Sequence, residues 1–148
     1  SPSGAIERDI YGLLEKAAFD MKKGVKPSLP LWLTPTQVRI IPVTEEYVEL
    51  ATEVKDSFHQ IRVDIDDRDE TVGKKIRDAE KEWVPYIIVV GEREIDIEKY
   101  QVRVRGEKKP VEYSVVELQE KIHSKTKDKP FRPVPMPIYL ADRPQFVG

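Results

Sequence analysis

Between Pro85 and Gly91 the chain reads Tyr-Ile-Ile-Val-Val, apolar at every position with no polar alternation. A strand of that kind is wet on neither face, so the sheet that contains it must be covered on both sides. The preceding residues supply one cover. Thr71 reads as a helix cap, Val72, Ile76, Ala79 and Trp83 recur on one helical face, and Pro85 stops the helix and turns the chain into the strand. Gly73, on the same helix, reads as a site of close backbone approach. A helix delivered through a proline into a buried strand points to a layered α/β fold.

The flanking sequence extends this pattern. Gln37 to Val43 is expected to form the first strand, and Thr44 to cap a helix carrying Tyr47, Leu50, Ala51, Val54 and Phe58 at helical spacing. Ile61, Val63 and Ile65 alternate with Arg62, Asp64 and Asp66, the pattern of an edge strand wet on one face. Right-handed crossovers make these first three strands parallel. Glu92 to Ile97 and Tyr100 to Arg105 read as an antiparallel pair. Ser114 with Glu117 forms a capping box, with Tyr113 and Leu118 as a hydrophobic staple, opening a last helix through Val115, Leu118 and Ile122. Upstream, Ser3 is expected to cap a helix whose stripe is Ile6, Ile10, Leu13, Leu14, Ala17 and Met21. Three prolines between Val25 and Pro35 then mark the boundary of the compact domain. The chain thus divides into residues 1–28, a domain at 29–128, and a proline-rich tail at 129–148 whose apolar side chains favour docking on the domain.

At 148 residues and 39% hydrophobic content the chain suits a single core. The net charge of −2 conceals an uneven distribution. Residues 44–70 carry ten acidic and three basic side chains, residues 99–132 five acidic and ten basic. The second stretch is either a phosphate-facing surface or a solvated helix face. With no cysteine, disulfides and thiolate metal sites are excluded. No apolar run approaches the roughly 18 residues of a membrane span and no leader-like segment precedes the first helix, so a cytoplasmic location is expected. The chain begins with Ser1 instead of Met, as a piece of a longer protein would.

Catalytic chemistry finds little support. His59 and His123 fall on expected helices, away from Ser, Cys or a paired His at ligand spacing, and read as surface residues. The cluster Asp64, Asp66, Asp67, Asp69 and Glu70 lacks the spacing and central glycine of a calcium loop, so no metal is expected in this chain. The strand Tyr100 to Arg105 is more informative. Period-two geometry sends Tyr100, Val102 and Val104 inward and Gln101, Arg103 and Arg105 to the opposite face. Such a row suits unpaired bases, which accept planar, bidentate contacts. It equally suits an edge charged against sheet-to-sheet pairing.

The block Thr71 to Glu94, the run Pro-Leu-Trp-Leu-Thr-Pro-Thr-Gln-Val from Pro30 to Val38, and the ending Lys129-Pro130-Phe131-Arg132-Pro133 through Phe146-Val147-Gly148 resemble the anticodon-binding domain of threonyl-tRNA synthetases, the archaeal-type class II enzymes in particular. The resemblance covers nearly the whole chain. It implies a three-layer α/β domain, a five-stranded mixed sheet flanked by helices, whose partner is the anticodon loop of threonine tRNA. It assigns Glu94 to guanine, Arg103 to the anticodon bases and Asp69 to a nearby polar contact, with Gln101 and Arg105 on the same strand. Asp69 stands where bacterial members carry Asn. Lys99, Arg105, Lys108 and Lys109 then steer phosphates. Gly4-Ala5-Ile6-Glu7-Arg8 resembles motif 3 of class II synthetases, which would make residues 1–28 the end of a catalytic domain and Arg8 an ATP contact in the full-length protein. The other class-defining motifs and the zinc ligands are absent, so this chain alone is expected to be inactive and to need no cofactor. ATP, Mg, Zn and homodimerisation through the catalytic domain are implied for the full-length ligase. The rival readings are the same module on an editing subunit without a catalytic core, and a non-catalytic accessory or protein-interaction module.

Overall fold

The computed structural model describes residues 28–144. The expected opening helix with Ser3 and Arg8, and the last four residues including Phe146, lie outside them. The described residues form five strands, β1 (Val38–Pro42), β2 (Val63–Ile65), β3 (Tyr86–Val90), β4 (Lys99–Val104) and β5 (Val111–Ser114), and three α-helices, α1 (Val48–Asp56), α2 (Val72–Lys81) and α3 (Val115–Lys125). The sheet order is β2-β1-β3-β4-β5. β1 runs parallel to both β2 and β3, while β4 is antiparallel to β3 and β5 to β4.

The apolar strand β3 lies at the centre, as its composition demands. Tyr86, Ile88 and Val90 share one core with Ala51 and Val54 of α1 and Leu118 and Ile122 of α3. Ile87 packs on the other side with Ile41, Val84 and Ala79 of α2. Two helices therefore cover one face and one covers the other, giving three layers. Thr71 caps α2 by accepting from the Lys74 N–H at 3.2 Å. The capping box of α3 also forms, with the Glu117 N–H donating to Ser114 Oγ at 3.1 Å and the Ser114 N–H to Glu117 Oε1 at 3.4 Å.

Several sequence expectations are corrected. The partner of β4 in the hairpin is β5, not Glu92 to Ile97. Residues Glu92–Glu94 form a 3-10 turn instead, because the Glu94 carboxylate accepts from the Gly91 N–H at 2.7 Å and closes the chain on itself. Thr44 makes no side-chain cap; a 3-10 turn over Glu45–Tyr47 leads into α1. His59 lies beyond the end of α1, tied by its backbone N–H to Gln119. A Cβ at Gly73 would meet open space, whereas one at Gly91 would sit 2.9 Å from Val43 Cγ2. Gly91 is thus the close approach, where the end of β3 passes the end of β1.

The largest correction concerns the polar face of β2. The strand is at the sheet edge, yet Arg62, Asp64 and Asp66 are buried. Asp64 is fully enclosed and accepts four hydrogen bonds. Two come from Arg39 Nε and Nη2 at 2.9 Å each, one from Thr36 Oγ1 at 2.8 Å and one from Arg143 Nη2 at 2.9 Å. Arg39, its cross-strand partner, is also wholly buried and reaches Glu82 beyond α2. Burial opposes the Arg39 charge, but Asp64 and Glu82 more than offset it and hold the pKa above the ordinary arginine value.

The tail supplies the remaining cover. The Ile65 N–H donates to Ile138 O at 2.9 Å, Tyr139 bridges Ile65 in parallel register, and Leu140 is buried. The Tyr139 and Thr52 hydroxyls lie 2.9 Å apart, and the Ala141 N–H donates to Asp67 Oδ1 at 2.9 Å. Apolar docking is concentrated in the later part of the tail, since Phe131 and Met136 remain exposed, while the earlier part is tied to the domain by Arg62 Nη1, which donates to Arg132 O at 3.3 Å.

Two outcomes follow from this packing. Deleting residues 138–148 should lower stability by about 2 to 5 kcal/mol, from the lost Tyr139 and Leu140 burial and one bond to Asp64; thermal melts would check it, and an unchanged midpoint would mean the docked segment contributes nothing. Arg39→Met should cost about 3 to 5 kcal/mol by leaving Asp64 without its main partner, whereas Arg39→Met with Asp64→Leu should recover most of that loss in urea titrations.

Candidate nucleic-acid interface

On the face that α2 covers, that helix packs on β1 and leaves β4 open. The open strip displays Gln101 and Arg103, both exposed, while Tyr100 and Val102 point into the core. Gln101 Nε2 donates to Glu112 Oε2 on β5 at 3.3 Å. The Arg103 side chain has no hydrogen-bond or ion-pair partner among the described residues, so its planar donor set is available. Arg105 differs. It is half-buried, with Nη1 donating to Glu80 O at 2.8 Å and its backbone N–H to Pro85 O at 2.9 Å, which fastens the end of β4 to the end of α2. Burial lowers its pKa, a shift the charge of Glu80 opposes.

The expected phosphate set is divided by the strand. Lys99 opens β4 and pairs with Glu117 at 3.4 Å, while Lys108 and Lys109 lie in the turn after it. At ~3.3 Å per residue, the two ends of β4 are separated by about 17 Å. Lys108 and Lys109 flank Arg103 and Arg105 around one shallow depression; Lys99 does not belong to it.

Glu94 sits at the opposite end of the sheet from that depression. One of its oxygens holds the Gly91 N–H. Burial, then the charges of Glu94 and Glu53, push the Tyr100 phenol above its ordinary pKa. Arg103 pairs with Ile87, four residues before Gly91, so it lies about 13 Å along the sheet from the Glu94 turn. That spacing suits contacts to different nucleotides of one loop better than contacts to a single base.

Asp69 lies in the loop between β2 and α2. The loop is held by Arg68, whose guanidinium binds the enclosed Asp66 at 2.8 Å and Asp78 at 3.0 Å. The hydrogen bond to Asp66 keeps the Arg68 pKa raised against the opposing effect of burial. With Arg68 turned inward, Asp69 is displayed at the surface. It borders a crevice of about 980 Å³ between this loop and the start of α1, whose rim also carries Glu45, Glu46, Glu49, Asp67 and Glu70. Since α1 and α2 lie on opposite faces, the chain reverses direction across β1 and β3. Open α/β sheets bind ligands beyond the carboxyl ends of the strands at such a reversal. Glu94 and Asp69 are at that end.

A family model described as the anticodon binding domain matches residues 37–125. The chain belongs to the anticodon-binding domain family. Threonine–tRNA ligases from Methanococcoides burtonii and Pyrococcus furiosus are each 51% identical to it, over 99% and 100% of the chain. That of Cenarchaeum symbiosum is 54% identical over 98%. The chain spans about a quarter of the length of these curated relatives, 24% in each case. Among solved structures, the RNA binding domain of threonyl-tRNA synthetase from Cryptosporidium parvum aligns with a TM-score of 0.59 at 28% identity, covering 72% of this chain and 26% of that one. Prolyl-tRNA synthetase from the same organism, complexed with halofuginone and AMPPNP, gives 0.58 at 32% identity, covering 67% and 22%.

Within this anticodon-binding domain, one residue lining the crevice escaped the sequence reading. Lys75 is only 3% exposed and lines the same crevice as Asp69. A signal existed, since position 75 lies three residues after Val72 and four before Ala79, within the apolar stripe of α2. Among the described residues no group of three or more His, Cys, Asp or Glu is arranged to hold a metal ion, and no helix is long and apolar enough to cross a membrane.

The double position of Glu94 yields a checkable consequence. Glu94→Ala should cost about 1 to 2 kcal/mol by stripping the Gly91 N–H of its acceptor, while Glu94→Gln, which keeps a carbonyl oxygen there, should stay within about 0.5 kcal/mol of the parent in urea denaturation. Equal stabilities of the two variants would show that the turn does not need a side-chain acceptor for the Gly91 N–H.

Proposed function

We propose that this chain is the anticodon-binding domain of an archaeal-type threonine–tRNA ligase and reads the anticodon loop of threonine tRNA. The observation that carries the reading is the half-covered sheet. α2 shields β1, while β4 presents Arg103 with its guanidinium unengaged, and the Glu94 turn stands at the carboxyl end of the neighbouring strand. In this reading the Glu94 carboxylate accepts the two N–H donors of a guanine edge, and Arg103 donates to base carbonyls. Asp69 supplies a further acceptor, and Gln101 and Arg105 border the same strand. Lys108 and Lys109 attract the phosphate backbone, and Lys99 does so separately at the other end of β4. Identity of about half to threonine–tRNA ligases along the whole chain supports threonine tRNA as the partner. Activation of threonine with ATP and Mg, the zinc site, the Arg8 contact to ATP and the homodimer contact belong in this reading to the full-length protein, acting in the cytoplasm.

Base reading and phosphate attraction separate by substitution. Arg103→Ala should weaken binding to a stem-loop with the threonine anticodon by about 1 to 3 kcal/mol while barely changing binding to a non-cognate one. Lys108→Ala with Lys109→Ala should weaken both alike and flatten the salt dependence, as phosphate contacts carry no sequence information. Parallel losses for both RNAs in every variant would defeat the assignment of Arg103 to a base.

A further inference from the structure

A lysine as enclosed as Lys75 ordinarily has an anionic partner. The Lys75 side chain has no hydrogen bond or ion pair among the described residues, although its backbone N–H donates to Thr71 O at 3.0 Å at the start of α2. Every fully enclosed side-chain nitrogen or oxygen among these residues does have a hydrogen-bond partner. The ammonium of Lys75 is therefore not fully enclosed; it is the part of the side chain that reaches the crevice, at the end of a stem buried within α2's apolar stripe. The other cation lining the crevice, Arg68, is already held by Asp66 and Asp78. Lys75 is left as a fixed, unengaged donor facing a cavity of about 980 Å³.

The rim determines what such a donor meets. Glu45, Glu46, Asp67, Asp69 and Glu70 make the crevice strongly acidic, which repels a phosphate. A neutral group offering a carbonyl acceptor beside N–H donors is instead matched on both counts, its oxygen to the ammonium and its N–H groups to a carboxylate. Guanine presents O6 beside such donors, and uracil presents O4 beside its ring N–H. Adenine and cytosine carry an amino group in that place, which an ammonium with three donors and no acceptor opposes. We propose that Lys75 is a specificity-determining residue that donates to the exocyclic carbonyl oxygen of a keto base of the anticodon, guanine or uracil, seated in the crevice beside Asp69. This rests on the chain being an anticodon reader, and it adds a position on α2, away from Glu94 and Arg103, that selects keto over amino bases.

The test exchanges a single atom on the RNA and a single group on the protein. Stem-loops carry the threonine anticodon with 6-thioguanine in place of guanine or 4-thiouracil in place of uracil, one at a time, so that only the strong carbonyl acceptor is lost. The chain should bind one of these about tenfold more weakly than the oxygen parent. Lys75→Met, which keeps the buried stem, should bind oxygen and sulfur forms equally at that position, at the weakened level. Lys75→Arg, which retains a cation with several donors, should keep part of the preference. Thermal melts of Lys75→Met should lie at or above the parent, since a largely buried side chain then carries no ammonium without an ion-pair partner.

An oxygen preference that persists in Lys75→Met, or no sulfur effect at either base with the unsubstituted chain, overturns the proposal while leaving anticodon reading intact. A melt far below the parent assigns Lys75 a structural role and overturns it too. So does an equal loss for cognate and non-cognate stem-loops with a flattened salt slope, which would mark a phosphate contact. Failure of the unsubstituted chain to prefer the threonine anticodon at all would remove the anticodon reading itself and this inference with it.

Discussion

The bidentate pair between Arg39 and Asp64 sets the geometry on which the sheet depends. Two opposite charges withdrawn from water on adjacent parallel strands are tolerable only if their remaining donors and acceptors are met. Thr36, Glu82 and Arg143 meet them, and these three come from the entry to β1, the end of α2 and the tail. One ion pair thereby fixes the register of β1 against β2, the place where α2 stops, and the path of the chain long after the sheet is complete. Apolar packing alone would allow the edge strand to slip, whereas a shift of one residue would turn Asp64 away from Arg39.

This cluster also sets the frame for the candidate interface. With α2 held near β1 at Glu82, the far half of the same sheet face is left bare, and β4 can display Gln101 and Arg103 there. At the carboxyl end of the strands, enclosed Asp66 draws Arg68 inward and leaves Asp69 displayed. The candidate interface is shaped as much by where buried charges hold the helix and loop as by the residues that would touch a base.

The central strand, the flanking helices and both working helix caps were legible in the sequence because each is a local property. An uninterrupted apolar run, a helical stripe or a Ser with a Glu three residues on carries its meaning within a dozen residues. β5 was hidden because its four residues run directly into the capping box of α3. Glu92 to Ile97 looked like a strand because its alternation is genuine, yet one carboxylate satisfying one backbone N–H bends it into a turn. Glu94 and Arg103 were assigned through the family resemblance, Arg103 also through the alternation of its strand. The burial of Asp64 could not be read, since alternation shows that a face is polar but not that a distant tail will cover it. Lys75 lay in plain view on the apolar stripe, but its significance depends on which partners neighbouring loops withhold.

The tail's return to β2 has a bearing on the order in which the fold assembles. Arg143 and Asp64 are 79 residues apart in sequence, and the edge strand they join is only three residues long. Closing so long a loop is entropically costly and comes after nearby helices and the central strands have formed. The hold of the tail on β2 is consequently expected to form last as the chain folds and to be released first when it opens locally. Hydrogen exchange at Ile65 would report the comings and goings of the tail, while exchange at Ile88 would report the survival of the core.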